Sequence, residues 1–545
     1  MQLPARHHNA SWSQGSLGLF LSVAVLVLAL LWMQTPLSIN LENKTFDYLQ
    51  RLRYHWHGPV FAWDHLGLIA IEDQSVDPEY SLLSDPWGRG RWQTREHYSA
   101  QMYLLATTIK PKVLAFDLLF PQVMDQGRDE RTEKLAVLQQ MRLSDEKIGE
   151  RLKAVEREGL RAMQQELFNM QDLIEAGEKA PRAVFAYVFP QDETGLFKER
   201  STAERRQQDF QWLREQALPP GCITGGPAPL EVVQLPSEEL MSAGAGLGAI
   251  NVVPEVGVVR RVPLLYAFRD PESGELRHLP SFALRSLLAY WNISPANLNR
   301  GNPAGPWVEA EAGAELRVFD GEKIWRIPVD EQFRLLLNTR SLYLDVQAVP
   351  FVEVTLACLE FQDEFQSQGS GPEIIERREK AQIIRGRLEG KIALVAQALT
   401  GGGDIGNFPL QANVPNVLAH AFALDNILRE DYLRPPSAWV GPLLALIFTA
   451  LLLLVYRILG IGPGSVTALL LLLLHPSWCG WRWNSEAGSC PCWHRCFSSC
   501  CSLPRTPSTI IWWKLGKKTN CATCFPPLFL PGFWISFWKV RRACP

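Results

Sequence analysis

Three aspartates stand just past short apolar runs. Asp73 follows LGLIAIE, Asp117 closes VLAFD, and Asp404 ends LTGGGD shortly after KIALVA. An apolar run halted by an acid is how a buried strand reads where it leaves a sheet, and ligands of parallel sheets collect at the carboxyl ends of the strands. Three converging carboxylates could hold a hard cation through oxygen, or a cationic or hydroxylated molecule. They could equally cap helices, pin turns or pair with Arg89, Arg91 and Arg260, and taken alone the residue types favour that plainer role. Trp87, Arg89 and Arg91 share one polar loop, SDPWGRGRW, directly before a helical stretch. Asp73, Trp87, Arg89, Arg91, Asp117, Arg260 and Asp404 are the candidate ligand contacts.

Other motifs carry less. The glycines of TGGGD could point backbone N–H groups at an anion, but the Lys-Ser/Thr that completes a P-loop is missing, so a turn is the expectation. His420 has no His or Cys at ligand spacing and is expected to pack. No Ser/His/Asp or Cys/His set can be assembled, and neither cyclase metal-binding aspartates nor a kinase H-box can be recognised. The sequence therefore assigns no catalytic residue, no cofactor and no metal site.

The elements that must position these residues follow from apolar spacing. Residues 68–71 and 113–116 read as strands; between them Tyr98, Met102, Leu105 and Ile109 recur as one face of a helix. This is a βαβ unit. Residues 129–179 are dense in both charges, and Ile148, Leu152, Val155, Met163, Leu167, Met170 and Ile174 mark one or two amphipathic helices, a coiled hairpin projecting from the sheet. Residues 183–189 form a strand, 246–268 two strands joined around 254–257, and 316–337 a hairpin around Asp320-Gly321. Helices are expected at 45–53, 281–291, 351–359 and 417–428, and a strand at 391–396. The middle of the chain is α/β: a mostly parallel sheet with helices on both faces and a long helical insertion.

Two uncharged apolar runs flank it. Residues 16–33 (SLGLFLSVAVLVLALLWM) and 439–456 (WVGPLLALIFTALLLLVY) are each long enough to span a bilayer, and 458–474 contains the start of a third span. The first lacks a clear cleavage site and reads as an uncleaved anchor. Arg457, in the turn after the second run, then places residues 1–15 in the cytoplasm and 40–435 outside, in a multi-pass protein of the cell's inner membrane. The formal charge of -3 gives no push toward nucleic acid.

Only Cys222 and Cys358 precede residue 475; the other nine of the eleven cysteines crowd the tail. Cys490, Cys492, Cys496, Cys521 and Cys524 have spacings that could gather zinc. The tail, however, loses all hydrophobic period in mid-span and fills with Cys, Trp, Pro and Ser. Residues 475–545 are expected to be an out-of-frame product.

Taken in order, FDYLQRLR, IAIEDQSV, WGRGRW, KVLAFDLLFP, GAINVVPEVGVVRRVPLLY, HLPSFAL and GKIALVAQALTGGGDIGNFPL with VPNVLAHAFALDNIL resemble the second type of CHASE domain over roughly residues 40–435. The resemblance implies an extracytoplasmic sensor held between membrane spans, a homodimer, and a cytoplasmic output of the nucleotide cyclase, histidine kinase or Ser/Thr kinase class that this chain no longer carries. Two function classes stay open: a receptor for a small molecule or an envelope condition, and a membrane-anchored extracytoplasmic enzyme using the aspartate edge.

Overall fold

A computed structural model describes residues 36–73, 95–120, 145–190 and 203–434, apart from 245, 296–297, 299–304, 363–371 and 400–403, with a few helical positions between 443 and 458. The chain divides into two units, Met1–Gly488 and Ser489–Pro545. The second unit, with its cysteines, lies outside the described residues.

In chain order the elements are α1 (Pro36–His57), β1 (Leu66–Ile71), α2 (Arg95–Leu104, continued by one π-type turn, Leu105–Ile109), β2 (Val113–Asp117), α3 (Asp145–Glu175), β3 (Arg182–Tyr187), α4 (Ala203–Gln216), β4 (Ile223–Thr224), α5 (Glu238–Ser242) and β5 (Gly246–Ala249). There follow β6 (Arg261–Pro263), β7 (Leu265–Arg269), β8 (Leu276–Pro280), α6 (Phe282–Tyr290), β9 (Trp307–Glu311), β10 (Glu315–Phe319), β11 (Ile324–Pro328) and β12 (Arg334–Leu336). The last are β13 (Val349–Pro350), α7 (Phe351–Glu360), α8 (Pro372–Leu388), β14 (Ile392–Gln397), β15 (Ile405–Gly406), β16 (Val414–Pro415) and α9 (Val417–Leu428).

Six strands make a wholly parallel sheet in the order β13-β1-β14-β2-β3-β5. Its strands are apolar on both sides because both sides are covered. Leu66, Leu68, Val113, Ala115, Val184, Ala186, Ile392 and Leu394 face one core with α6 and α9. Ile69, Ile71, Leu114, Phe116, Phe185, Ala393 and Val395 face the other with α2, α3, α7 and α8. Helix α6 is buried over nearly its whole surface, which its FALRSLLA sequence permits. Its start is fixed by Ser281, whose Oγ accepts the Leu284 N–H at 3.3 Å. A second sheet, β11-β10-β9-β4, adds Val308, Ala310, Leu316, Val318 and Ile327 to the first core.

The α/β expectation is met, and the Asp320-Gly321 turn joins β10 to β11 as expected, with Gly321 at φ +105° and Asp320 Oδ1 accepting two backbone N–H groups at 2.8 Å. Four features differ. Strands β1 and β2 are not neighbours: β14, from the far end of the domain, bonds to both. Residues 246–268 do not hold two strands joined around 254–257; β5 joins the parallel sheet, β6 pairs with β12 and β7 with β8. The charged insertion does not project as a hairpin over its described part. Helix α3 lays Leu160, Met163, Leu167 and Met170 into the second core, because a stripe that apolar is more stable covered than wetted. Helix α8 had no sequence-based expectation, since its Glu and Arg residues mask the buried trio Ala381, Ile384 and Leu388.

Among the described residues no helix is long and apolar enough to cross a membrane. Residues 16–33 lie outside them, and residues 439–474 do too except for the few helical positions.

Candidate functional site

Placing β14 between β1 and β2 brings the carboxyl ends of β1, β14, β2 and β3 side by side, at about 4.8 Å per strand. Ile71 is in register with Gln397, and Ala396 with Asp117. The strand ends and the residues just past them therefore form one edge: Glu72 and Asp73 after β1, Asp117 closing β2, and Tyr187 closing β3.

Asp117 is the most confined of the acids on this edge, at 6 % exposure. Burial, and then the charge of nearby Asp404, push its carboxyl well above the ordinary carboxylate range. Asp117 and Asp404 are thus brought together, as the strand-end pattern implied. Asp404 is exposed and is steadied by Asn416, whose Nδ2 donates to its Oδ1 at 2.9 Å and whose N–H donates to its carbonyl at 3.2 Å. Gly406 makes that possible: a Cβ there would lie 2.1 Å from Asn416 Oδ1. Glu72 accepts the Tyr343 hydroxyl at 3.3 Å, while burial, followed by Glu72, raises the phenol. The buried Tyr187 hydroxyl has no hydrogen-bond partner among the described residues.

Asp73 is exposed at the end of β1. Among the described residues no three His, Cys, Asp or Glu side chains gather closely enough to hold a metal ion, so the three aspartates do not form a cation cage there. Burial and then Asp404 shift Asp117 toward its protonated form, which can donate a hydrogen bond. Beside the acceptors of Asp404 it suits a hydroxyl- or carbonyl-bearing molecule better than a bare cation.

Arg260 is not at this edge's disposal. It is 4 % exposed and grips α1: Nε and Nη2 donate to the two carboxylate oxygens of Asp47 at 2.8 and 2.6 Å, and Nη1 donates to the Glu255 carbonyl at 2.7 Å. The expected ion pair exists, with a different acid. Trp87, Arg89, Arg91 and the TGGG part of the glycine loop lie outside the described residues. His420 packs as expected, 1 % exposed, edge-on to Phe282 and driven by burial to about 4.

The residues that spacing did not reveal are those tying this edge to α1. Arg51 Nε donates to the Pro409 carbonyl at 2.8 Å, in the loop that begins with Asp404. The Val259 N–H, next to Arg260, donates to the Asn407 carbonyl of the same loop at 2.7 Å. The Tyr54 hydroxyl donates to Asp345 at 2.9 Å, two residues from Tyr343. The polar residues of FDYLQRLR were the available signal, but their partners lie hundreds of residues away in sequence.

The family model of the CHASE2 domain matches residues 23–457. This chain belongs to the CHASE2 family. No curated protein and no solved structure shows a match. CHASE2 domains are extracellular sensory domains, so the described α/β body of this CHASE2 chain is a sensory module, and the strand-end edge lies within the matched region.

Proposed function

We propose that this chain is the sensing part of a membrane-anchored signalling protein. In this reading residues 16–33 and 439–456 are spans, 458–474 begins another, and the sheet's carboxyl edge takes a small hydroxyl- or carbonyl-bearing signal. One observation carries it. The helix that would leave the first span and the segment that would enter the second meet. Phe46 of α1, Leu336 and Leu433 form a small apolar cluster. Beside it Asp431 bridges Arg53 at 3.7 Å and Arg340 at 2.8 Å, and Arg53 Nη1 donates to Asn338 at 2.9 Å.

A signal that alters the loop carrying Asp404 acts on α1 through Arg51 and through the Asp47–Arg260 pair. It shifts the two membrane helices only by as much as it favours one arrangement of that junction over the other. An output of the cyclase or kinase class would read the shift. The helical residues Leu443, Leu446, Ile447, Leu451, Leu454 and Ile458 are all exposed and apolar, which supports a lipid setting.

Hydrogen exchange on the full chain in lipid nanodiscs tests the coupling. Asp404→Asn and Arg260→Ala are each expected to change protection in Pro36–His57 and in residues 429–434 together. Changes confined to the loop around the substitution would sink the receptor reading.

A further inference from the structure

The strands of the parallel sheet begin beside basic residues. His65 and Lys391 precede β1 and β14, Lys112 precedes β2, and Arg182 opens β3. Arg285 of α6 comes to the same end. Its Nε and Nη2 lie 2.9 and 3.2 Å from where a Cβ on Gly246, the first residue of β5, would sit, so the glycine is what admits the guanidinium. Gly246 is in register with Val184, two residues along from Arg182.

Arg182 shares its face of β3 with Val184 and Ala186, which pack against α6. Lys112 reaches the same helix, its Nζ 4.4 Å from the ring centroid of Tyr290. The Arg182 N–H donates to the Lys112 carbonyl at 3.1 Å, which fixes the two strand starts side by side. Helix α6 therefore spans three cations along one end of the sheet.

Among the described residues these three cations lack an ion-pair partner. Arg285 is 9 % exposed, and its Nε and Nη1 are buried with no hydrogen-bond partner among the described residues. Burial lowers the guanidinium to about 10 and also lowers Arg182; Lys112 is lowered by burial and then by the charge of Arg182. Among the described residues no carboxylate forms an ion pair with any of the three. An unpaired buried guanidinium is among the costliest groups a fold can hold, and its donors are short, strong ligands for an oxyanion. Three positive charges favour a doubly charged oxyanion over a carboxylate, and the burial of Arg285 keeps it away from a flat bilayer surface.

We propose that the amino-terminal end of the sheet binds a small phosphate-type oxyanion, with the Arg285 guanidinium as its main ligand and Arg182 and Lys112 as flanking cations. This site is separate from the carboxyl edge and stands whether or not that edge takes a signal.

The test is calorimetric titration of inorganic phosphate into the full chain in nanodiscs of neutral phospholipid, against chloride at matched ionic strength. Saturable binding and a raised thermal midpoint are expected with phosphate alone. Arg285→Met should lose both, and Arg182→Gln and Lys112→Gln should each weaken binding by about tenfold. Should Arg285→Met not fold, the two flanking variants decide, since neither residue is fully buried. The proposal is overturned by absence of saturable heat in the unaltered chain. It is also overturned if Arg182→Gln and Lys112→Gln both bind as tightly as the parent, or if binding appears only when anionic lipid is added to the discs.

Discussion

At its carboxyl end the parallel sheet presents Glu72, Asp73, Asp117 and Asp404, whereas at its amino end the same strands start beside His65, Lys112, Arg182 and Lys391. Helix dipoles fit part of this pattern. Helix α9 starts after Asn416, which bonds to Asp404, and α6 and α8 finish near Lys112 and Lys391, so Asp404 meets a helix N-terminus and the two lysines meet helix C-termini. Dipoles do not account for burial, and there the two ends separate. Each end buries one group without a charge partner among the described residues, Asp117 at one and Arg285 at the other. Burial shifts the acid toward its neutral form, which lowers that cost. The guanidinium stays charged, because even at about 10 its proton is held at neutral pH. The ends differ again in wiring: α1 bonds to the loop at the carboxyl end through Arg51, and to its neighbours through Asp47 and Tyr54. Among the described residues no hydrogen bond links α1 to Lys112, Arg182 or Arg285. In the proposed readings one end moves a helix and the other holds an ion.

The largest effect should come from cutting that wiring. Arg260→Ala leaves Asp47 with no bidentate partner at a nearly closed site, a change that typically costs about 3–5 kcal/mol. The thermal midpoint of the full chain is expected to drop accordingly, with α1 losing exchange protection first. An unchanged midpoint would mean that the carboxyl end is no better connected to α1 than the amino end.

Next comes Gly248→Ala. A Cβ on Gly248 would sit 2.5 Å from the Cα of Phe282, backbone against backbone, so α6 must lift from β5. Overpacking of this kind costs about 1–3 kcal/mol. Because α6 carries Arg285 and Tyr290, phosphate affinity should fall although no cation has been touched. Loss of stability with phosphate affinity retained would detach the anion site from that helix.

Asp117→Asn reads the acid end by pH. The folded-state pKa of Asp117 lies above its unfolded value, so the folded chain binds the extra proton. Its contribution to stability is full below the unfolded value, near 4, and is lost as pH rises through the raised folded value. Asp425, held at about 7 chiefly by burial, acts in the same sense. His420, held at about 4, acts oppositely between about 4 and 6.5. The asparagine variant should therefore be the more stable chain at pH 7.5, by a few degrees in midpoint, with the advantage shrinking toward pH 4. An advantage that grew on acidification would place the proton elsewhere.

Much of this was legible in the chain. Apolar runs stopped by acids located β1, β2 and their ends, and Asp117 with Asp404 did come together. Legibility failed where partners are remote. Nothing near Asp117 in sequence announces that β14 will be laid beside it, and nothing around Arg260 points to Asp47. Arg285 was invisible for another reason: one arginine in FALRSLLAY looks like the polar side of an amphipathic helix, and only burial on all sides gives it meaning. The charge of α3 misled in the opposite direction, since its apolar stripe, and not its solvated face, decides where it goes.

The smallest expected effect separates holding from signalling. Asn416→Ala removes one exposed hydrogen bond to Asp404, for which about 0.5–1 kcal/mol is the ordinary net contribution. Global stability should scarcely change, and phosphate binding at the other end not at all. Yet Asp404 begins the loop whose Pro409 carbonyl holds Arg51, so a loosened Asp404 should raise exchange in α1 out of proportion to the lost stability. If exchange in α1 rises only as far as the midpoint falls, the loop is ordinary packing and the carboxyl end has no privileged line to the helix. If α1 responds while the midpoint stays put, the loop transmits, because a local change then reaches α1 without passing through global unfolding.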